Sequence, residues 1–243
     1  MFLELFLFHP TKLSRTYTFS FQTPFSEFFL SAQDGAEING LWFRMPDPKG
    51  LILYFHGNAD DLSRWGKVAN DFLCLNYDVM MIDYRGFGKS TGKRSEAALH
   101  ADGKIFYEFA RQYFSPEKII IYGRSLGSGI ATRLASELPA AKLILETPFY
   151  NLAELLLHYL PYIGDKIPWE YQFRSDKYIL QVTVPITIFH GTADETVPYK
   201  EGEKFKKLLG NQIRFVTIDG GKHKNLSEYP LYHEVLAEVL SIN

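Results

Sequence analysis

Six runs in this chain, "GLILYFHG", "YDVMMIDYRG", "KIIIYGRS", "AKLILETP", "VPITIFHG" and "QIRFVTID", are apolar with almost no polar alternation. A strand with one wet face alternates apolar and polar side chains, whereas a strand covered on both faces does not, so these runs read as central, parallel strands. Parallel neighbours need crossover connections. The stretches between the runs supply them: apolar residues recurring at three and four predict helices over 62–74, 95–114, 126–137, 199–209 and 231–242. Two earlier segments, "SEFFLSA" and "EINGLWFR", flank "QDGA", whose Asp-Gly favours a tight turn, and they predict an antiparallel start. The expected fold class is α/β, a mostly parallel eight-stranded sheet with helices on both faces, in one domain over residues 1–243.

Composition narrows the function classes. The 243 residues are 46% hydrophobic and 22% charged, enough apolar material for a sizeable core, and the formal charge of −2 offers no general attraction to nucleic acid or anionic bilayers. Nucleic-acid partners are excluded on that basis. A single cysteine, Cys74, rules out an internal disulfide framework, agrees with a cytoplasmic setting, and reads as a small apolar residue on the buried face of its helix. The opening "MFLELFLFHP" is interrupted by Glu4 and stopped by Pro10, too short for a membrane span and without the pattern of a signal peptide. Residues 1–10 read as a segment packed on the domain, with peripheral membrane contact as the sharper alternative.

In a sheet of this kind ligands bind beyond the carboxyl ends of the strands. Standing at those ends are His56-Gly57-Asn58-Ala59, Asp83-Tyr84-Arg85, Gly123-Arg124-Ser125-Leu126-Gly127, Glu146, His190 to Asp194, and Gly221-Lys222-His223. A strand-to-helix turn that pushes one side chain clear of the backbone crowds the positions two before and two after it, which explains glycine at 123 and 127 and exposes Ser125 as a nucleophile. Leu126 N–H, at the start of the next helix, and an N–H from Asn58 or Ala59 are the expected oxyanion-hole donors. A serine hydroxyl needs a base and an acid to orient that base. The order serine, acid, histidine selects Asp194 and His223, with Glu146 as the alternative acid. His56 and His190 read as structural, Asp83 and Arg85 as a buried pair with each other, and Arg124 as the partner of a nearby carboxylate. The remaining histidines show no metal-ligand spacing, so no metal is expected.

The set "LFHPTKL", "YFHGNA", "IDYRGFGKSTG", "IYGRSLGSG", "IFHGTADETVPY" and "GGKH" resembles the α/β-hydrolase superfamily, and within it the serine hydrolases grouped with α/β-hydrolase domain-containing proteins 13 and 17. The resemblance spans nearly the whole chain. It implies an α/β-hydrolase fold, no cofactor, Ser125, Asp194 and His223 as nucleophile, acid and base, and action on esters or thioesters, including acyl groups on protein cysteines. Where relatives often show Gly-Gly-Gly-His-Asn, this chain has Gly221-Lys222-His223-Lys224, and no cysteine-rich stretch opens it.

Between Pro148 and Val184 lies an insertion, a short cap at about 149–184, rich in aromatic and aliphatic residues including Phe149, Tyr150, Leu155, Tyr159, Leu160, Tyr162, Ile163 and Trp169. Within it "NLAELLLHYL" predicts one amphipathic helix, and Phe149, Tyr150, Leu155 and Tyr159 are the expected substrate-binding residues. The expected activity is a serine carboxylesterase or thioesterase working through an acyl-enzyme on Ser125, its partner a small-molecule acyl ester or thioester. The alternatives are a peptidase or acyltransferase on the same triad, and a non-catalytic, membrane-associated binding protein.

Overall fold

The computed structural model describes residues 8–159 and 171–241. Eight strands form one sheet: β1 (Phe25–Ser31), β2 (Glu37–Phe43), β3 (Leu51–Phe55), β4 (Asp78–Ile82), β5 (Ile119–Arg124), β6 (Lys142–Glu146), β7 (Ile186–Gly191) and β8 (Ile213–Ile218). Their order is β1-β2-β4-β3-β5-β6-β7-β8. The β1–β2 and β2–β4 pairs are antiparallel and every later pair is parallel. The expected α/β class, a mostly parallel eight-stranded sheet with helices, is the observed one.

Five of the runs lack alternation because both faces of the sheet are covered there; the sixth, β8, expected as a central strand, lies at the sheet edge with Thr217 exposed. Along the fully buried β3, Leu51, Leu53 and Phe55 join a core containing Phe106 and Ile130, while Ile52 and Tyr54 join a second core containing Phe72 and Leu236. Each such side chain contributes roughly 1.5–3 kcal/mol by leaving water. Helices α1 (Glu96–Arg111) and α2 (Leu126–Glu137) serve the first core, with α3 (Leu152–Tyr159) and α4 (Tyr199–Leu209); α5 (Pro230–Ser241) serves the second. The start of α1 follows from its cap: Ser95 Oγ accepts from Ala98 N at 3.1 Å.

The stretch over 62–74, expected as one helix, is broken into Leu62–Trp65, a 3-10 turn Gly66–Ala69 and Asn70–Leu73. Within the 3-10 turn Gly66 packs flush on the Phe21 ring, where a Cβ would lie 2.4 Å from Phe21 Cζ. Cys74 is exposed rather than buried, because Phe72 and Leu73 take the inward positions and the chain turns out at the helix end. Asp83 and Arg85 are not paired with each other. The chain has left the sheet at Ile82, so pleat alternation no longer fixes their direction: Asp83 accepts from Leu62 N (3.2 Å) and faces His56 Nε2 (3.4 Å), and burial raises its pKa. Arg85 instead grips Asp102 of α1 through two hydrogen bonds (2.7 and 2.9 Å) and also contacts Asp34.

From Phe8 onward the amino-terminal segment packs on the domain. Phe8 is buried, His9–Pro10 pairs in parallel with Ala59–Asp60, and Leu13 N donates to Gly88 O at 2.9 Å. Residues 1–7 of the expected lipid-touching stretch lie outside the described residues, as do Leu160, Tyr162, Ile163 and Trp169 of the insertion. Among the described residues no helix is long and apolar enough to cross a membrane.

Candidate active site

Ser125 stands between β5 and α2 with φ 50° and ψ −116°, a backbone conformation that costs a non-glycine residue on the order of 1–3 kcal/mol. The turn is fastened on both sides. Ser125 N donates to Glu146 O (2.9 Å), and its carbonyl accepts from Ser128 N (2.9 Å) and Ser128 Oγ (2.6 Å). A Cβ on residue 127 would lie 2.1 Å from Phe55 O, and one on residue 123 would lie 2.5 Å from Gly127 O, so the two glycines let the helix sit against the strand ends.

His223 follows β8, and its ring meets Ser125: Nε2 lies 2.9 Å from Ser125 Oγ, while Nδ1 lies 2.8 Å from Asp194 Oδ2. The carboxylate is fixed in turn, its Oδ1 accepting from Thr196 N and Val197 N, each at 2.8 Å. Burial alone would push the Asp194 pKa up. Hydrogen bonds from His190 and His223 and the Val197 N–H outweigh it and hold the carboxyl well below the usual carboxylate range, so it stays an anion. Three contacts tie the acid loop to the histidine loop: Ala193 N to Gly221 O (2.9 Å), Gly220 N to Thr192 Oγ1 (2.8 Å) and Thr192 Oγ1 to Asp219 Oδ1 (3.0 Å).

Around this row lies a cavity of about 630 Å³. Its lining brings in Leu126, Asn58 and Ala59, and of the residues expected to touch substrate it includes Phe149, Leu155 and Tyr159. Tyr150 is a correction. Its ring packs on Phe205 (5.3 Å between centroids) and Lys204 of α4, where its own backbone N–H also donates to Glu201, and it does not line the cavity. The Asn58–Ala59 loop is braced by Trp65 Nε1, which donates to Ala59 O at 2.7 Å, and by the strand pairing with His9–Pro10.

Other polar groups at the strand ends have structural partners. Glu146 accepts from Tyr122 Oη (2.8 Å) and pairs with Arg124 Nε (3.2 Å), so it braces the elbow and does not reach the imidazole. His56 is fully buried under the Tyr84 ring, with Nδ1 2.7 Å from Gly57 O. His190 Nε2 donates to Val197 O (2.9 Å) and sits 3.5 Å from Asp194 Oδ2. That second histidine on the acid was legible only as the four-residue spacing in "HGTAD". Phe8, Trp65 and Val68, which also line the cavity, gave no signal of their own, since they are ordinary core types brought in by loops.

A nucleophile, a base and an orienting acid within hydrogen-bond reach of one another can carry out acyl transfer. Comparison with known proteins agrees with a hydrolase. Residues 46–169 match the family model described as serine aminopeptidase, S33. An uncharacterized protein of Mycobacterium tuberculosis is 30% identical, over 81% of this chain and 71% of that protein. This chain belongs to the α/β-hydrolase superfamily. Other relatives of this hydrolase are the lysophosphatidylserine lipase ABHD12 of Danio rerio, 29% identical over 88% of the chain and 69% of the lipase, and the human α/β-hydrolase domain-containing protein 17C, 30% identical over 81% and 59%. Among solved structures, the esterase Pf2001 of Pyrococcus furiosus superposes with a TM-score of 0.75 over 97% of both chains at 19% identity, which shows the shared α/β-hydrolase fold. An α/β-hydrolase from Vibrio vulnificus superposes with 0.74 over 89% of this chain and 80% of that one, also at 19% identity.

Proposed function

We propose that this hydrolase cleaves carboxylic esters or thioesters through an acyl-enzyme on Ser125. The observation that carries the reading is the hydrogen-bonded row Ser125 Oγ to His223 Nε2 to Asp194, with distances of 2.9 and 2.8 Å. In this reading Asp194 accepts a hydrogen bond from Nδ1–H and so keeps Nε2 a free base. His223 takes the hydroxyl proton as Ser125 attacks the carbonyl, then returns it to the leaving alcohol or thiol. Leu126 N–H and an N–H of the Asn58–Ala59 loop receive the oxyanion, and water attacking the acyl-enzyme, again with His223 as base, frees the acid.

The apolar wall supplied by Phe149, Leu152, Leu155, Leu156 and Val197 supports an acyl chain as the bound portion. An aminopeptidase reading, suggested by the family description, fits less well: an α-ammonium needs a free carboxylate, and the acidic side chain on the described lining, Asp60, is already paired with Arg64 at 2.7 Å. Hydrolysis of a chromogenic short-chain ester tests the proposal. Ser125→Ala is expected to lower turnover by roughly 10³-fold or more with the fold intact, and to abolish labelling by a fluorophosphonate. Undiminished hydrolysis by the variant would reject the assignment.

A further inference from the structure

The cavity lining has two chemically distinct sets of side chains. Apolar side chains come from Phe149, from α3 and from Val197, with Phe8, Trp65 and Val68; the cations come from the stretch 64–67, the elbow and the histidine loop. Four cations stand on the lining, Arg64, Lys67, Arg124 and Lys224. Two of them are engaged, Arg64 with Asp60 at 2.7 Å and Arg124 with Glu146 at 3.2 Å. Lys67 and Lys224 are exposed and pair with no acidic side chain among the described residues. In a chain whose formal charge is −2, this local excess of positive charge is not a general property of the surface.

We propose that Lys67 and Lys224 form a subsite for an anionic leaving group, so that the preferred substrate is an acyl ester of an alcohol that carries a phosphate or carboxylate. The inference rests on the ester reading above. It assigns the charge to the leaving group rather than the acyl chain for a geometric reason. His223 hands its proton to the departing oxygen, so the alcohol leaves beside His223, and Lys224 is the next residue on the same lining. The acyl chain then takes the apolar wall, where a charge would be desolvated without a partner. Ammonium groups suit this role, since they hold phosphate as point charges without demanding a fixed geometry.

The test is a matched pair of soluble esters, octanoyl glycerol and octanoyl glycerol 3-phosphate, with kcat/KM measured for each. The wild type is expected to prefer the phosphate ester by roughly tenfold at low salt, the preference shrinking as ionic strength rises. In Lys67→Gln/Lys224→Gln the ratio should fall close to one. In Lys49→Gln/Lys118→Gln, which removes the same charge near the opposite ends of β3 and β5, it should persist. A wild-type ratio near one overturns the subsite while leaving the ester reading standing. So does a ratio unchanged by the first double variant, or lowered equally by the second. An ester with its carboxylate on the far end of the acyl chain should gain nothing, and an equal gain there overturns the leaving-group assignment. Absence of hydrolysis of either ester, with Ser125 unlabelled by a fluorophosphonate, overturns the ester reading and the subsite with it.

Discussion

Arg124 Nη2 donates a hydrogen bond to the backbone carbonyl of His223 at 3.0 Å, so the residue beside Ser125 holds the loop that carries the imidazole. The guanidinium can do this because Glu146, only 2% exposed, anchors its Nε, and Tyr122 donates to the other oxygen of that carboxylate. Arg124→Gln is expected to lower kcat for ester hydrolysis by roughly tenfold with little change in KM, since it loosens the base and not the acyl wall. It should also cost about 3–5 kcal/mol in urea denaturation by leaving Glu146 buried without its cation, a loss that Arg124→Gln/Glu146→Gln partly restores. A stability loss with kcat untouched would show that the contact does not position the imidazole.

Asp194→Asn gives a second expectation. An amide at Oδ2 favours the wrong imidazole tautomer, and kcat should fall by about 10³–10⁴-fold with the geometry nearly unchanged. Stability should respond to pH in a defined direction. The folded-state carboxyl is held below its unfolded value of about 3.9, so its contribution is fully present above that value and is lost as pH falls toward the folded one. Melting temperatures of wild type and variant should therefore differ most from about pH 5 upward and converge in stronger acid. A gap that widens on acidification would contradict the cause assigned to the shift.

Gly127→Ala tests the elbow itself. The added methyl would sit 2.1 Å from Phe55 O, a backbone atom at the end of β3 that cannot rotate away, so helix and strand must separate. The expected result is a loss of more than about 3 kcal/mol in denaturant unfolding, or insoluble protein, at a site where the same substitution in an exposed helix would stabilise. Gly35→Ala, with no atom within 4 Å of the new methyl but φ at +81°, should fold and show only the smaller cost of backbone strain.

The sequence carried the sheet and the meeting of Ser125, Asp194 and His223 because both depend on short-range patterns. Unbroken apolar runs follow from burial on both faces, and glycine spacing follows from crowding at the turn. What it did not carry depends on direction. Asp83 and Arg85 stand two apart just after β4, where no pleat constrains them, and each found a partner from a distant segment, His56 and Asp102. Tyr150 differs from Phe149 by one position in the same apolar stretch, and only the placement of Phe205 and Lys204 of α4 against its ring shows that it faces away from the cavity. The exposure of Cys74 is not legible for a similar reason, since periodicity does not show where a broken helix turns outward.

Phe8 links the cavity wall to the Asn58–Ala59 loop. Its ring is buried against Tyr171 (5.0 Å) and Phe87 (6.5 Å) and lines the cavity, while the next two residues pair with Ala59 and Asp60. One aromatic therefore fastens the strand that braces the Asn58–Ala59 loop, from which the second oxyanion donor is proposed to come. Phe8→Ala should remove about 3–5 kcal/mol of stability through the space it leaves. It should also lower kcat more than it raises KM, because a displaced Asn58–Ala59 N–H weakens binding of the oxyanion and not of the ground-state ester. Phe8→Leu, which refills most of the volume, is expected to recover both. If Phe8→Ala raises KM with kcat unchanged, the ring serves as cavity wall alone and the brace on the loop does not depend on it.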